Sequence, residues 1–225
     1  MSFLIYFILL LIIPIYAQMK VQRAYKKYSQ VPASNGYTGA EVARKILDEN
    51  GLYNVRVEET SGVLSDHYDP TSKVVRLSSS NYHGHSLAGT AVAAHEVGHA
   101  IQDKEDYSPM RLRHKLVPVA NIGSNFSWIL IMAGLLLGMT NLAWVGVLFM
   151  GAAVLFQFVT LPVEFNASSR AMKQVVAMGI IGAEEEKETK KVLDAAALTY
   201  VAAAAVAVLE LLRFVFMLTG MNNDE

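Results

Sequence analysis

Residues 89 to 105 read "GTAVAAHEVGHAIQDKE" and place His95 and His99 four positions apart with Glu96 beside the first. In a helix, side chains at i and i+4 stand on one face. Both imidazoles can then aim at one ion, and neutral imidazole suits zinc. A catalytic zinc site takes three protein ligands and keeps one position open, and the ion brings the pKa of a bound water down to about 7. Glu96 is turned by about 100° from His95, so it stands beside the ion, where it can take a proton from that water. Gly98 lies within the same turn and costs about 1 kcal/mol against alanine in a helix interior, a cost that is tolerable if something must approach the backbone closely there.

A third ligand is needed. The extended pattern H-E-x-x-H-x-x-G-x-x-H requires Gly at 102 and His at 105, and the chain has Gln102 and Glu105. His83, His85 and His114 offer nitrogen. Glu164, in "LPVEFNASSRA", is the better candidate. It follows an apolar stretch, with Pro162 ahead of it as an expected break. A carboxylate beside a membrane boundary calls for a partner. The topology derived below also returns it to the face that carries His95 and His99.

Four apolar stretches frame these residues: 3–17, 126–139 (extended back to Leu116), 142–162 and 195–218. A spanning helix needs about 20 mostly apolar residues. The first stretch is short and holds Pro14. Nothing basic precedes it, whereas Lys20, Arg23, Lys26 and Lys27 follow it, so an uncleaved anchor is expected rather than a signal peptide. Thirteen Lys/Arg lie in residues 20–115 and five in 163–194, with none in the "TN" turn or the C-terminal "MNNDE". The positive-inside rule then puts 20–115 and 163–194 in the cytoplasm and both termini outside.

The expected class is α+β: a helical membrane protein with about four transmembrane helices and a small cytoplasmic α+β domain carrying the metal helix. The expected division is an anchor (1–19), a metallopeptidase domain (20–115, metal helix 86–104), a transmembrane hairpin (116–162), a helical segment supplying the third ligand (163–194), a last transmembrane helix (195–218) and a tail (219–225). Within the domain, "TGAEVARKILDENGL" predicts an amphipathic helix with Thr38 as N-cap and Gly51 just past its end. "YNVRVEET" and "KVVRLSS" alternate as strands do, and the turn-rich "SDHYDPTS" between them suggests a hairpin. "KVVRLSS" could be an edge that takes extended peptide by strand addition, or equally a paired interior strand. "AEEEKETKK" reads as a solvated helix face. Glu210 and Arg213, at i, i+3 inside the last stretch, read as a structural pair with the arginine reaching toward the helix end.

Composition removes other classes. The net charge of −1 gives no field that favours nucleic acid, and no phosphate-cradling glycine loop occurs. With no cysteine, disulfides and thiolate metal sites are excluded.

With "SDHYDP…KVVRLS…NYHGHSLAGTAVAAHEVGHAIQ" and "LPVEFNASSRA", the chain resembles the YugP-type family of bacterial membrane zinc metallopeptidases, over nearly its whole length. The resemblance implies a neutral zinc endopeptidase bound to the membrane. More distantly the chain is similar to the gluzincin proteases, in which a downstream E-x-x-x-D supplies the metal-binding glutamate and an aspartate that steadies the first histidine. Carried over, Glu164 is the ligand. Position 168 is Ser where those proteases carry Asp, and Asn166 is a second polar candidate for the supporting role. His67, Tyr82, His83, His85, Tyr107 and Arg170 are candidates for stabilising an oxyanion, and the sequence does not choose among them.

The expectation is a membrane-bound zinc endopeptidase acting on peptide or protein substrates, membrane-associated ones foremost, in contact with the lipid bilayer and without a nucleic-acid partner. Oligomeric state, cleavage preference and regulation are not written in the sequence. Two alternatives stand beside it: a non-catalytic zinc-stabilised scaffold with four protein ligands, His83 or His85 among them, and an intramembrane protease. The polar flanks "SSSNYHGHS" and "QDKEDYS" argue against the latter.

Overall fold

The computed structural model describes residues 2–222. Its elements in chain order are α1 (Ser2–Tyr28), α2 (Gly39–Glu49), β1 (Arg56–Thr60), β2 (His67–Asp69), β3 (Val74–Ser78), α3 (Ser79–Tyr82), α4 (Leu87–Lys104), α5 (Ser108–Leu136), α6 (Thr140–Ala177) and α7 (Ala183–Asn222). Mostly helical, the chain carries one small sheet. Four helices, α1, α5, α6 and α7, are long and apolar enough to cross a membrane by length and composition. The chain divides into two compact units, one of residues up to Ile15, Pro109–Leu161 and those from Tyr200, the other of Tyr16–Ser108 and Pro162–Thr199.

In the first unit α5 and α6 pack antiparallel. A β-carbon on Gly134 would meet the backbone of Ala143, and one on Gly123 would meet the carbonyl of Phe149. The reversal falls on 137–139 rather than on the "TN" pair, because Gly138 takes φ +65 and Thr140 already belongs to α6. Ile131, Ala143, Val147, Met150, Phe214 and Leu218 form the buried cluster of this unit. The Arg213 guanidinium lies over the rings of Phe214 (4.4 Å), Tyr6 (5.4 Å) and Phe7 (5.9 Å). Aromatic rings therefore lie around its charge.

The second unit is built on α2, the sheet and α4. Thr38 caps α2 through a reciprocal capping box with Glu41, which satisfies two of the donors a helix start leaves open. Val42, Ala43, Ile46 and Leu47 make one face, all fully buried. Val42, Ile46 and Leu47 each contribute about 1.5–3 kcal/mol by leaving water. Gly51 lies just past the helix with φ +65. Ser86 caps α4 by accepting from the Gly89 amide.

The sheet corrects two expectations. β1 and β3 are parallel, not a hairpin (Arg56 against Val74 through Thr60 against Ser78), and the strand order is β1-β3-β2. The hairpin is β2–β3, antiparallel. Its turn is organised by Asp69, whose carboxylate accepts from the Thr71 amide (2.9 Å), the Ser72 amide (3.2 Å) and the Ser72 hydroxyl (2.5 Å). Hence the region read as turn holds a strand, and β3 is the central strand rather than an edge. Its ladder groups are shared with neighbours on both sides, so strand addition at β3 is closed to a peptide.

Other boundaries differ as well. α1 runs past residue 19 to Tyr28, so Lys20, Arg23, Lys26 and Lys27 ride on the same helix. Pro162 does not break the chain, because α6 continues from Thr140 through it to Ala177. Proline removes one amide donor inside a helix, and apolar helices tolerate it where neighbouring groups satisfy the freed carbonyl. Nor is "AEEEKETKK" wholly solvated. Glu185 accepts from the Ser34 amide (2.8 Å), the Ser34 hydroxyl (2.7 Å) and the Gly182 amide (2.7 Å).

Candidate metal centre

α4 and the second half of α6 meet along faces of matching spacing, with 95, 98, 99 and 102 on one and 164, 167 and 168 on the other. Gly98 makes the approach possible, since a β-carbon there would lie 2.6 Å from the Ala167 carbonyl oxygen. Val97, Ala100, Val163, Ala167 and Ala171 are buried around the contact.

This apposition brings His95, His99 and Glu164 together, each offering one ligand atom, with all three atoms within 4.8 Å of one another. Glu164 Oε2 lies 3.3 Å from His95 Nε2 and 3.6 Å from His99 Nε2. The carboxylate is 2% exposed, so it needs positive charge nearby. The rings of His95 and His99 stand edge to face with centroids 4.8 Å apart. Burial pushes the His99 imidazole down, but Glu164 and Glu96 outweigh it and leave its pKa above the ordinary histidine value.

The donor set fits a divalent ion such as zinc: two imidazole nitrogens and one carboxylate oxygen converge on one buried point. The far nitrogens are also occupied. Ser168 Oγ lies 3.1 Å from His95 Nδ1, and Gln102 Oε1 lies 3.0 Å from His99 Nδ1. Partners of this kind set ring orientation and basicity in metal sites. Glu96 is buried and close enough for its charge to act on His99. Among the described residues its carboxylate enters no hydrogen bond or ion pair.

The remaining candidates are placed as follows. Asn166 reaches the site at one remove, accepting from Gln102 Nε2 (3.0 Å) and from Arg170 Nε (2.6 Å). Arg170 also pairs with Glu105 (2.7 Å) and lies over the Tyr107 ring, so Arg170 and Tyr107 are engaged with each other. His67 Nδ1 is 2.8 Å from the Ser65 carbonyl, His83 pairs with Glu59, and His85 Nδ1 is 2.7 Å from the Gly36 carbonyl. Tyr82 packs edge-on against His83. None of His67, Tyr82, His83 and His85 belongs to the three-residue cluster.

Two participants escape a reading of the sequence. Gln102 is one, although its i+3 spacing from His99 is the signal that could have named it. The other is Asp103, buried, which accepts from the Tyr68 hydroxyl (2.6 Å) and pairs with Lys73, tying the end of α4 to the β2–β3 hairpin.

Comparison with known proteins agrees with this chemistry. The family described as "Putative neutral zinc metallopeptidase" matches residues 3–219. The chain is 54% identical over 209 residues, 93% of either chain, to "Putative membrane protease YugP" of Bacillus subtilis (strain 168). No solved structure matches. With the family match running over residues 3–219, the protein belongs to this family.

Proposed function

We propose that the protein is a multi-pass membrane zinc endopeptidase whose active site faces the cytoplasm. His95, His99 and Glu164 would hold the ion, within a zincin-like domain formed by the sheet, α4 and the segment after Pro162. The observation that carries the reading is the convergence of those three ligand atoms within 4.8 Å. Zinc, when bound, supplies Lewis acidity that makes water nucleophilic at neutral pH. Glu96 is the general base: its carboxylate takes a proton from the attacking water as the new C–O bond forms. It then gives the proton to the amide nitrogen as the C–N bond breaks, so water is consumed and no other reactant is needed. Ser168 and Gln102 orient the two imidazoles.

The cytoplasmic side rests on the thirteen Lys/Arg of residues 20–115 and five of 163–194. Two crossings between His99 and Glu164 return the carboxylate to the face it left. A site joined this closely in sequence to spanning helices favours membrane proteins, or segments emerging from the bilayer, as substrates. Cleavage of an unfolded substrate such as casein by the detergent-solubilised protein tests the reading. Glu96→Gln should lower turnover by about 10²–10⁴-fold while zinc stays bound. A scaffold would keep its function in that variant, and retained cleavage would remove Glu96 from its role.

A further inference from the structure

We infer that Gln102 is a positioning residue that commits His99 to the tautomer able to bind a metal through Nε2, and that its own orientation is dictated by groups on α6. The inference rests on the reading of His95, His99 and Glu164 as ligands. Gln102 is fully buried, and an amide in such a place must satisfy both its ends. Its nitrogen faces the Val163 carbonyl at 2.8 Å and Asn166 Oδ1 at 3.0 Å. A backbone carbonyl can only accept, so that end of the amide must be the NH₂. Asn166 is oriented in turn, because the Arg170 nitrogen 2.6 Å away can only donate. The assignment is therefore forced from two directions.

What remains of Gln102 is its oxygen, 3.0 Å from His99 Nδ1. An amide oxygen only accepts, so Nδ1 carries the proton and Nε2 presents its lone pair on the side of Glu164. One residue thus joins the far nitrogen of a ligand on α4 to the backbone immediately before the carboxylate ligand on α6. The other imidazole is treated differently. Ser168 can donate or accept through its hydroxyl, so the 3.1 Å contact with His95 Nδ1 imposes neither tautomer. His99 is the fixed half of the pair, and His95 the adaptable half.

The test uses full-length, metal-free protein labelled with ¹⁵N-histidine, in detergent at alkaline pH, with His99 assigned by comparison with a His99→Ala variant. Long-range proton–nitrogen correlation should find His99 protonated at Nδ1 and bare at Nε2; a proton mainly on Nε2 overturns the inference. Gln102→Met, which keeps the volume and loses the amide, should mix the tautomers. It should also weaken zinc binding about 10- to 100-fold in competition with a chromophoric chelator. Zinc bound as tightly as by wild type, with the tautomer unchanged, overturns it too. Should that variant fail to fold, the wild-type spectrum decides alone. The underlying reading fails separately, if wild type takes up no zinc or if Glu164→Gln binds it undiminished.

Discussion

Gly98 and Ala167 touch so closely that a β-carbon on the first would sit 2.6 Å from the carbonyl oxygen of the second. That contact, not any ligand, sets how near α4 comes to α6. In Gly98→Ala the helix gains about 1 kcal/mol of propensity, but separating two packed backbones costs about 1–3 kcal/mol. The expected net result is a lower melting temperature together with weaker zinc binding, because Glu164 moves with Ala167. Zinc titration beside thermal denaturation checks this. An alanine variant that is more stable and binds zinc normally contradicts it.

Asp69 organises the β2–β3 turn, and its hydrogen bonds from Ser72 and Thr71 hold its carboxyl down to about 2. A depressed carboxyl contributes stability that is fully present above its unfolded value of about 3.9 and is lost as pH falls through about 2. In metal-free protein, wild type should exceed Asp69→Asn in stability by a constant margin above about pH 5, and the margin should shrink steadily as pH drops below about 4. Chemical denaturation at stepped pH measures it. A margin independent of pH would mean the carboxylate charge is not what holds the turn.

Glu185 differs from the acidic residues around it. It accepts two hydrogen bonds from Ser34 and one from Gly182, so Glu185→Ala should cost about 1–3 kcal/mol. Glu184→Ala and Glu186→Ala should stay within about 0.5 kcal/mol of wild type. Denaturation of the three variants side by side checks the contrast.

Arg213 sits among the rings of Phe214, Tyr6 and Phe7. Arg213→Met should lower thermal stability by about 1–2 kcal/mol and leave zinc content and proteolysis unchanged. A large loss of activity at unaltered stability would instead mark it as part of the reaction.

What could be read from the sequence divides along physical lines. His95 and His99 need only one helical turn to meet, so spacing alone pairs them. Thr38, Glu41 and Gly51 announce α2 because caps are local chemistry. Glu164 is distant in sequence, so no local spacing ties it to the histidines; its place after an apolar stretch, the expected topology and the resemblance are what single it out. Gln102 was hidden because its partners, Val163 and Asn166, are on another helix. The sheet order escaped because β2 has only three residues, too few for alternation to register. Pro162 misled because the rule that proline ends helices is one for water, where a freed carbonyl is readily solvated, and α6 is apolar up to that residue.

In the proposed function a carboxylate on α6 completes a metal site begun by two imidazoles on α4. Zinc stoichiometry and affinity of purified wild-type and Glu164→Gln protein, measured under the same detergent conditions, test it most directly. Wild type should hold one zinc tightly, and the variant should bind it at least about 10-fold more weakly. A variant that holds one zinc as firmly as wild type would contradict it.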